Sequence, residues 1–158
     1  MKSEELKVEH PRIVERSLQY ALRVVELYRH LERNEVGRVL GKQLLRSGTS
    51  VGANVQEAQG AQSKADFISK ISVSYKEARE AHYWLTLIER SQIAPMAQLH
   101  NLLDETEQLL RILSSILLTS KKNLTRARSH SSLFTHHSSL NKRGFTFVEI
   151  LITLTVIA

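Results

Sequence analysis

Apolar side chains recur along this chain in alternating steps of four and three, the spacing that gathers residues on one face of an α-helix. Val14, Leu18, Ala21, Val25 and Tyr28 predict a first helix from about Pro11 to Leu31, with proline suited to its first turn. Asn34 is placed to cap a second helix carrying Val36, Leu40, Leu44, Gly48, Val51, Val55 and Ala58, and Gly60 is a natural stop. Ser63 to Asp66 reads as a capping box. A third helix follows with Phe67, Ile71, Ser74, Ala78, Ala81, Leu85 and Ile88. Pro95 opens a fourth, whose seam is Leu99, Leu103, Thr106, Leu110, Leu113 and Leu117. Beside that seam runs a second stripe, Leu102, Leu109 and Ile116. The widened face has two readings, deeper burial within the chain or contact between subunits; the second is the one carried into the assembly expected below.

Four helices of roughly 20–28 residues would each be about 30–40 Å long. Short connections between them imply an all-α fold, an antiparallel up-down-up-down four-helix bundle over residues 1–120. The pattern then changes. Residues 121–143 are basic and rich in Ser and His with few apolar positions, so they are expected to be a disordered linker. Residues 144–158 form a short, almost wholly apolar segment.

The run from Arg46 to Ala58 is the least helix-like part of the second helix. Each glycine there costs about 1 kcal/mol relative to alanine. A helix keeps such residues where another backbone comes close, and Gly48 and Gly52, four apart, would leave one face nearly smooth. Close helix packing is therefore expected at these two positions.

Composition adds limits. The 158 residues include no cysteine, which removes disulfides, zinc–thiolate sites and thiol catalysis. The N-terminus has no apolar run of the secretory kind, and a cytoplasmic location is expected. The net charge of +6 is unevenly spread. Residues 1–120 hold 16 Lys+Arg and 15 Asp+Glu, whereas residues 121–158 hold 6 and 1. Nucleic-acid binding by the bundle would thus need a local patch rather than bulk basicity.

Candidate chemistry is sparse. No His lies three residues after a Glu, so the di-iron bundle motif is missing, and no His-Glu-x-x-His or phosphate-loop pattern occurs. The expectation is a non-enzyme without cofactor or metal. Asn54 and Glu57 on the second helix and Glu77 and Glu80 on the third lie near the seams, with Arg46 and Lys76 as partners to hand. They read as a structural polar network fixing helix register, or alternatively as a pocket. Arg38, Lys42 and Arg46 repeat every four residues, and Arg12, Arg16 and Arg23 form a looser set on the first helix. If the two stripes adjoin, they would track a phosphate backbone; otherwise they are a solvated face. Trp84 reads as packing near a bundle end.

Gln43-Leu44-Leu45-Arg46-Ser47-Gly48-Thr49-Ser50-Val51-Gly52-Ala53-Asn54-Val55-Gln56-Glu57-Ala58 resembles the signature of four-helix-bundle proteins encoded in intervening sequences of 23S rRNA genes. Ser63-Lys64-Ala65-Asp66-Phe67-Ile68 and Ser74-Tyr75-Lys76-Glu77-Ala78-Arg79-Glu80 continue the likeness over about residues 8–120. The resemblance implies an antiparallel bundle that forms homo-oligomeric rings, often pentamers. It also implies RNA or a nucleic-acid-processing protein, such as a reverse transcriptase, as partner. Lys142-Arg143-Gly144-Phe145-Thr146-Phe147-Val148-Glu149 and the apolar run after it resemble a type IV prepilin processing site. That likeness implies cleavage between Gly144 and Phe145 and a role for Glu149 as fifth residue of the product. The apolar run is shorter than the roughly 20 residues that span a bilayer. A boundary with a neighbouring pilin-like gene and a membrane-tethered product are the two readings. The functional expectation is an oligomeric bundle binding structured RNA or a nucleic-acid-processing partner, with Arg38, Lys42, Arg46, Arg12 and Arg16 as phosphate contacts. A protein–protein adaptor and a membrane-tethered, pilin-like product are the alternatives.

Overall fold

The computed structural model describes residues 11–140, and the side-chain surroundings of residues 13–125. Four helices follow one another: α1 (Pro11–Leu31), α2 (Glu35–Gln59), α3 (Lys64–Arg90) and α4 (Met96–Leu140). Among the described residues there is no strand. The chain divides into two units, Met1–Lys121 and Lys122–Ala158. The four-helix bundle belongs to the first.

Helix ends follow local chemistry. Asn34 Oδ1 accepts from the Gly37 N–H at 3.0 Å, satisfying one of the unpaired donors of the first turn of α2. Ser63 Oγ does the same for Asp66 at 3.1 Å, while the Asp66 carboxylate reaches back to the Gln62 N–H at 3.2 Å. Gly60 caps α2, its N–H bonded to Glu57 O at 3.0 Å. The fourth helix differs from the sequence expectation. It does not end near Ser120 but is helical to Leu140, across the stretch expected to be a linker. Neither Gly nor Pro occurs between Met96 and Leu140 to stop it, and Leu, Lys, Arg and Ser are tolerated in helices.

Contacts set the order of the helices. Between α2 and α3, Arg46 meets Glu80, the Val51 carbonyl meets Ser74, and Glu57 meets Lys70. Residue numbers rise on one helix as they fall on the other. The same opposition holds for α1 with α2, where Leu31, Val24 and Ser17 lie against Gly37, Gly48 and Gly52. It holds again for α3 with α4, through His82–Glu107 and Glu89–His100. Tyr20 and Arg16 join α1 to α4.

One apolar core fills the bundle, with Tyr20, Leu27, Leu44, Leu85, Leu99 and Leu113 among its fully buried side chains. Each such side chain contributes about 1.5–3 kcal/mol by leaving water. On α3 the seam from Ile71 to Ile88 is buried as the periodicity predicts, with Phe67 half-buried at its start. On α1 the buried face is Ile13, Ser17, Tyr20, Val24, Leu27 and Leu31, one residue out of phase with the expected stripe. Leu18 is instead 51% exposed. This helix has apolar residues on two adjoining faces, so spacing alone permits both phases. Ser17 opposite Gly52 and Val24 opposite Gly48 select the observed one by close fit. At the start of α2 a similar rotation buries Gly37 and Gly41 in place of Val36 and Leu40. On α4 the stripe Leu102, Leu109 and Ile116 is buried within the chain, so it is not the subunit surface expected of it. Leu103, Leu110 and Leu117 are half-buried beside it.

Candidate nucleic-acid interface

The glycines of α2 decide where its cations point. Gly37, Gly41, Gly48 and Gly52 lie on one face and meet α1 along its length. A Cβ at Gly48 would stand 2.9 Å from Val24 Cγ1, and one at Gly52 would stand 3.2 Å from the Ser17 carbonyl oxygen. At Gly41 it would meet Tyr28 at 3.0 Å, and at Gly37 the Leu31 carbonyl oxygen at 2.5 Å. The close packing expected at Gly48 and Gly52 thus extends toward the helix start. Gly37 and Gly41 continue it in a 4-7-4 spacing, a sequence signal that the expectation at two positions left out.

Polar side chains of the same run return their hydrogen bonds to their own helix. Ser47 Oγ donates to Gln43 O at 2.9 Å, Thr49 Oγ1 to Leu45 O at 2.7 Å, and Asn54 Nδ2 to Ser50 O at 2.9 Å. Ser74 Oγ of α3 donates across to Val51 O at 2.9 Å. These helix-unfriendly residues therefore keep their donors paired.

The four residues expected to form one polar network sit in four separate settings. Asn54 bonds within α2, and Glu57 pairs with Lys70 at an exposed site. Glu80 receives Arg46 and also accepts from Trp84 Nε1 at 3.2 Å. Glu77 keeps its Oε2 buried with no hydrogen-bond partner among the described residues. Trp84 is half-buried against the core, with the Tyr83 ring edge-on at 5.0 Å.

The cations separate into two groups. Arg16 Nε lies 2.6 Å from Glu105 Oε1, and its Nη2 donates to Gln108. Arg23 Nη2 is 3.5 Å from the other oxygen of Glu105. Burial pushes the Glu105 carboxyl up, but the hydrogen bond and charge of Arg16, helped by Arg23, hold it below the ordinary carboxylate value. The same hydrogen bond raises Arg16. Arg16 is therefore engaged with α4. The side chain of Arg12 lies outside the described surroundings. On α2, Arg46 is paired with Glu80 across the α3 side. Arg38 and Lys42 are exposed, and their side chains carry no hydrogen bond or ion pair among the described residues.

The two stripes do not adjoin, because Arg16 and Arg23 face α4. A different cation lies at the level of the α2 pair along the bundle. Gly41 rests on Tyr28, which brings the neighbouring Arg29 to the level of Arg38 and Lys42. Arg29 is exposed and likewise unpaired among the described residues. Sequence reasoning missed it because the step from Arg29 to α2 is visible only once the glycine contacts fix the register. It also missed Glu105, although Arg16 and Arg23, seven apart, announce one face awaiting an acid.

Among the described residues, no group of His, Asp and Glu is placed to hold a metal ion, and no helix is long and apolar enough to cross a membrane. Gly144, Phe145 and Glu149 of the prepilin-like segment lie outside the described residues.

Comparison with known proteins places the bundle among relatives. The sequence model of the 23S rRNA-intervening sequence protein family matches residues 9–115. A crystal structure of a protein with unknown function from the S23 ribosomal protein family, from Bacteroides thetaiotaomicron VPI-5482, is similar at 41% identity. The match covers 66% of this chain and 97% of that one, with a TM-score of 0.64. No curated protein matches the chain.

Proposed function

Because the chain belongs to the 23S rRNA-intervening sequence protein family, we propose that it is a non-enzymatic, self-associating bundle that binds structured RNA through the edge between α1 and α2. The observation that carries this reading is the trio Arg29, Arg38 and Lys42, which is exposed and unpaired among the described residues. Arg16, Arg23 and Arg46 are spent on carboxylates of their own chain. Phosphate contact needs cations clustered in one place, and the bundle's near-neutral sum does not oppose it. In a homo-oligomer the same edge would recur in every copy, so weak patches would act together on one RNA. Cytoplasmic RNA, or the RNA of a nucleic-acid-processing complex, is the corresponding ligand.

A mobility-shift titration of the full chain against folded 23S rRNA fragments carrying the intervening sequence tests this. Arg38→Glu with Lys42→Glu is expected to weaken binding at least tenfold. Arg16→Gln is expected to change it little. Equal loss from both variants, or none from the first, would remove the assigned edge.

A further inference from the structure

A cleft opens between α1 and α4, toward the end of the bundle where α1 finishes and α4 begins. Its volume is about 200 Å³, and it is lined by Arg23, Glu26 and Leu27 of α1 and by Gln98, Asn101 and Leu102 of α4. Leu27 and Leu102 are buried and give it an apolar floor. Above them stand four polar side chains. Arg23 is steadied by Glu105, its Nη2 lying 3.5 Å from Glu105 Oε2, and a guanidinium has further N–H groups to give. Glu26, Gln98 and Asn101 are exposed, and their side chains carry no hydrogen bond or ion pair among the described residues.

An apolar lining with a few polar groups that fix orientation is the usual make-up of a ligand site. Pockets for drug-sized ligands hold roughly 300–1,000 Å³, so this cleft takes something smaller, the size of one heteroaromatic base. The polar groups narrow the choice. A carboxylate only accepts hydrogen bonds, an arginine only donates, and an amide does both. Glu26 also repels phosphate, so the occupant is a base rather than a stretch of backbone. Among the nucleobases, guanine sets two donors side by side, N1–H and the 2-amino group, as a carboxylate needs. Its O6 and N7 are acceptors suited to arginine.

We infer that the cleft holds one unpaired guanine of the bound RNA. Glu26 accepts from N1–H and the 2-amino group, and Arg23 with the amides of Gln98 and Asn101 serves O6 and N7. Sequence-specific recognition of RNA works on unpaired bases in this way, reading the edge that pairing would hide. Arg29 follows Glu26 by three residues on α1, the spacing of neighbours on a helix surface. A strand with its base in the cleft therefore passes its phosphates to the edge formed by Arg29, Arg38 and Lys42. The inference rests on the RNA reading above and adds which base is read.

The test compares two RNA hairpins with the same stem and a uridine loop that carries a single guanosine in one and a single adenosine in the other. Fluorescence anisotropy with the full chain is expected to show the guanosine hairpin binding at least tenfold more tightly. An inosine hairpin, which lacks the 2-amino group, is expected to lie between. Glu26→Gln removes a negative charge and so strengthens any phosphate attraction for both hairpins alike; the readout is their ratio, which is expected to vanish. Arg38→Glu with Lys42→Glu is expected to weaken both hairpins and keep the ratio. Free GMP, followed by equilibrium dialysis, is expected to bind far more weakly than the guanosine hairpin and to be lost in Glu26→Gln. Equal affinity of the wild type for the two hairpins, or a ratio that survives Glu26→Gln, would overturn the assignment. GMP bound as tightly as the guanosine hairpin would make the free nucleotide the ligand and overturn the RNA source. If both hairpins need Arg38 and Lys42 but guanine is not preferred, only this inference falls. If neither hairpin binds while GMP does so through Glu26, the RNA reading falls and the guanine site stands.

Discussion

The two flanks of α1 are held by different physics. Toward α2 the contact is steric: Val24, Ser17 and Tyr28 press on positions that have no Cβ, and no side-chain hydrogen bond or ion pair joins the two helices among the described residues. Toward α4 the contact is chemical: Glu105 gathers Arg16 and Arg23, and the Tyr20 and Thr106 hydroxyls lie 3.0 Å apart in the core. The difference bears on function. A flank closed by backbone proximity consumes no charge, so Arg29, Arg38 and Lys42 stay available at its edge. A flank closed by ion pairs uses its arginines up.

The comparison breaks most sharply at the steric flank. Gly48→Leu forces a side chain into Val24, and overpacking of this kind costs about 3 kcal/mol. Thermal unfolding is expected to show that destabilisation equally at low and high salt. Gly48→Ala is gentler, since its gain in helix propensity of about 1 kcal/mol offsets part of the clash. Combined with Val24→Ala, it is expected to cost less than the sum of the two single changes, as a shared contact requires.

Smaller effects belong to the chemical flank. Glu105→Gln removes the acid facing two arginines at a half-buried site and is expected to cost about 1 kcal/mol at neutral pH. The folded state lowers the Glu105 value, so the unfolded chain binds its proton more readily. The stabilisation is therefore full above the unfolded value of 4.5 and is lost as pH falls through the folded one. In acid, the wild type and Glu105→Gln are expected to converge in denaturant melts. Tyr20 gives the opposite sign. Burial pushes its phenol up to about 12 from 10.0, so its contribution is whole below 10.0 and is lost as pH rises toward the folded value. Tyr20→Phe is expected to cost about 1 kcal/mol at neutral pH by removing a buried hydrogen bond. It is also expected to flatten the alkaline limb of the stability profile. Least of all, Arg38→Gln with Lys42→Gln is expected to leave stability within about 0.5 kcal/mol of the wild type, because neither side chain is engaged.

How much of this was legible depended on what each helix offers the eye. On α3 the residues Ile71, Ser74, Ala78, Ala81, Leu85 and Ile88 form one unbroken seam whose burial is readable from spacing, although Val73 and Tyr83 lie exposed off it. On α1 two faces are apolar, and the choice between them rests on which partner surface fits. Gly48 and Gly52 announced a close approach, but not that α1 is the helix that approaches, nor that Gly37 and Gly41 share the contact. Arg16 and Arg38 look alike in sequence, each spaced at helical intervals among other cations. Only the position of Glu105 separates the bound arginine from the free one, and Glu105 is 89 residues away from Arg16 along the chain. The course of the fourth helix beyond Ser120 was obscured for another reason. Low apolarity argues against burial, but it does not by itself stop a helix that lacks Gly and Pro.

The sharpest test is the salt dependence of RNA binding by the full chain, compared among the wild type, Arg38→Gln with Lys42→Gln, and Arg16→Gln. Removing one cation that touches a phosphate lowers the slope of log affinity against log salt concentration by about 0.7–0.9. The double variant is therefore expected to have a slope shallower by about 1.4–1.8, with Arg16→Gln following the wild type. A double variant that keeps the wild-type slope and affinity would contradict the assignment of the α1–α2 edge.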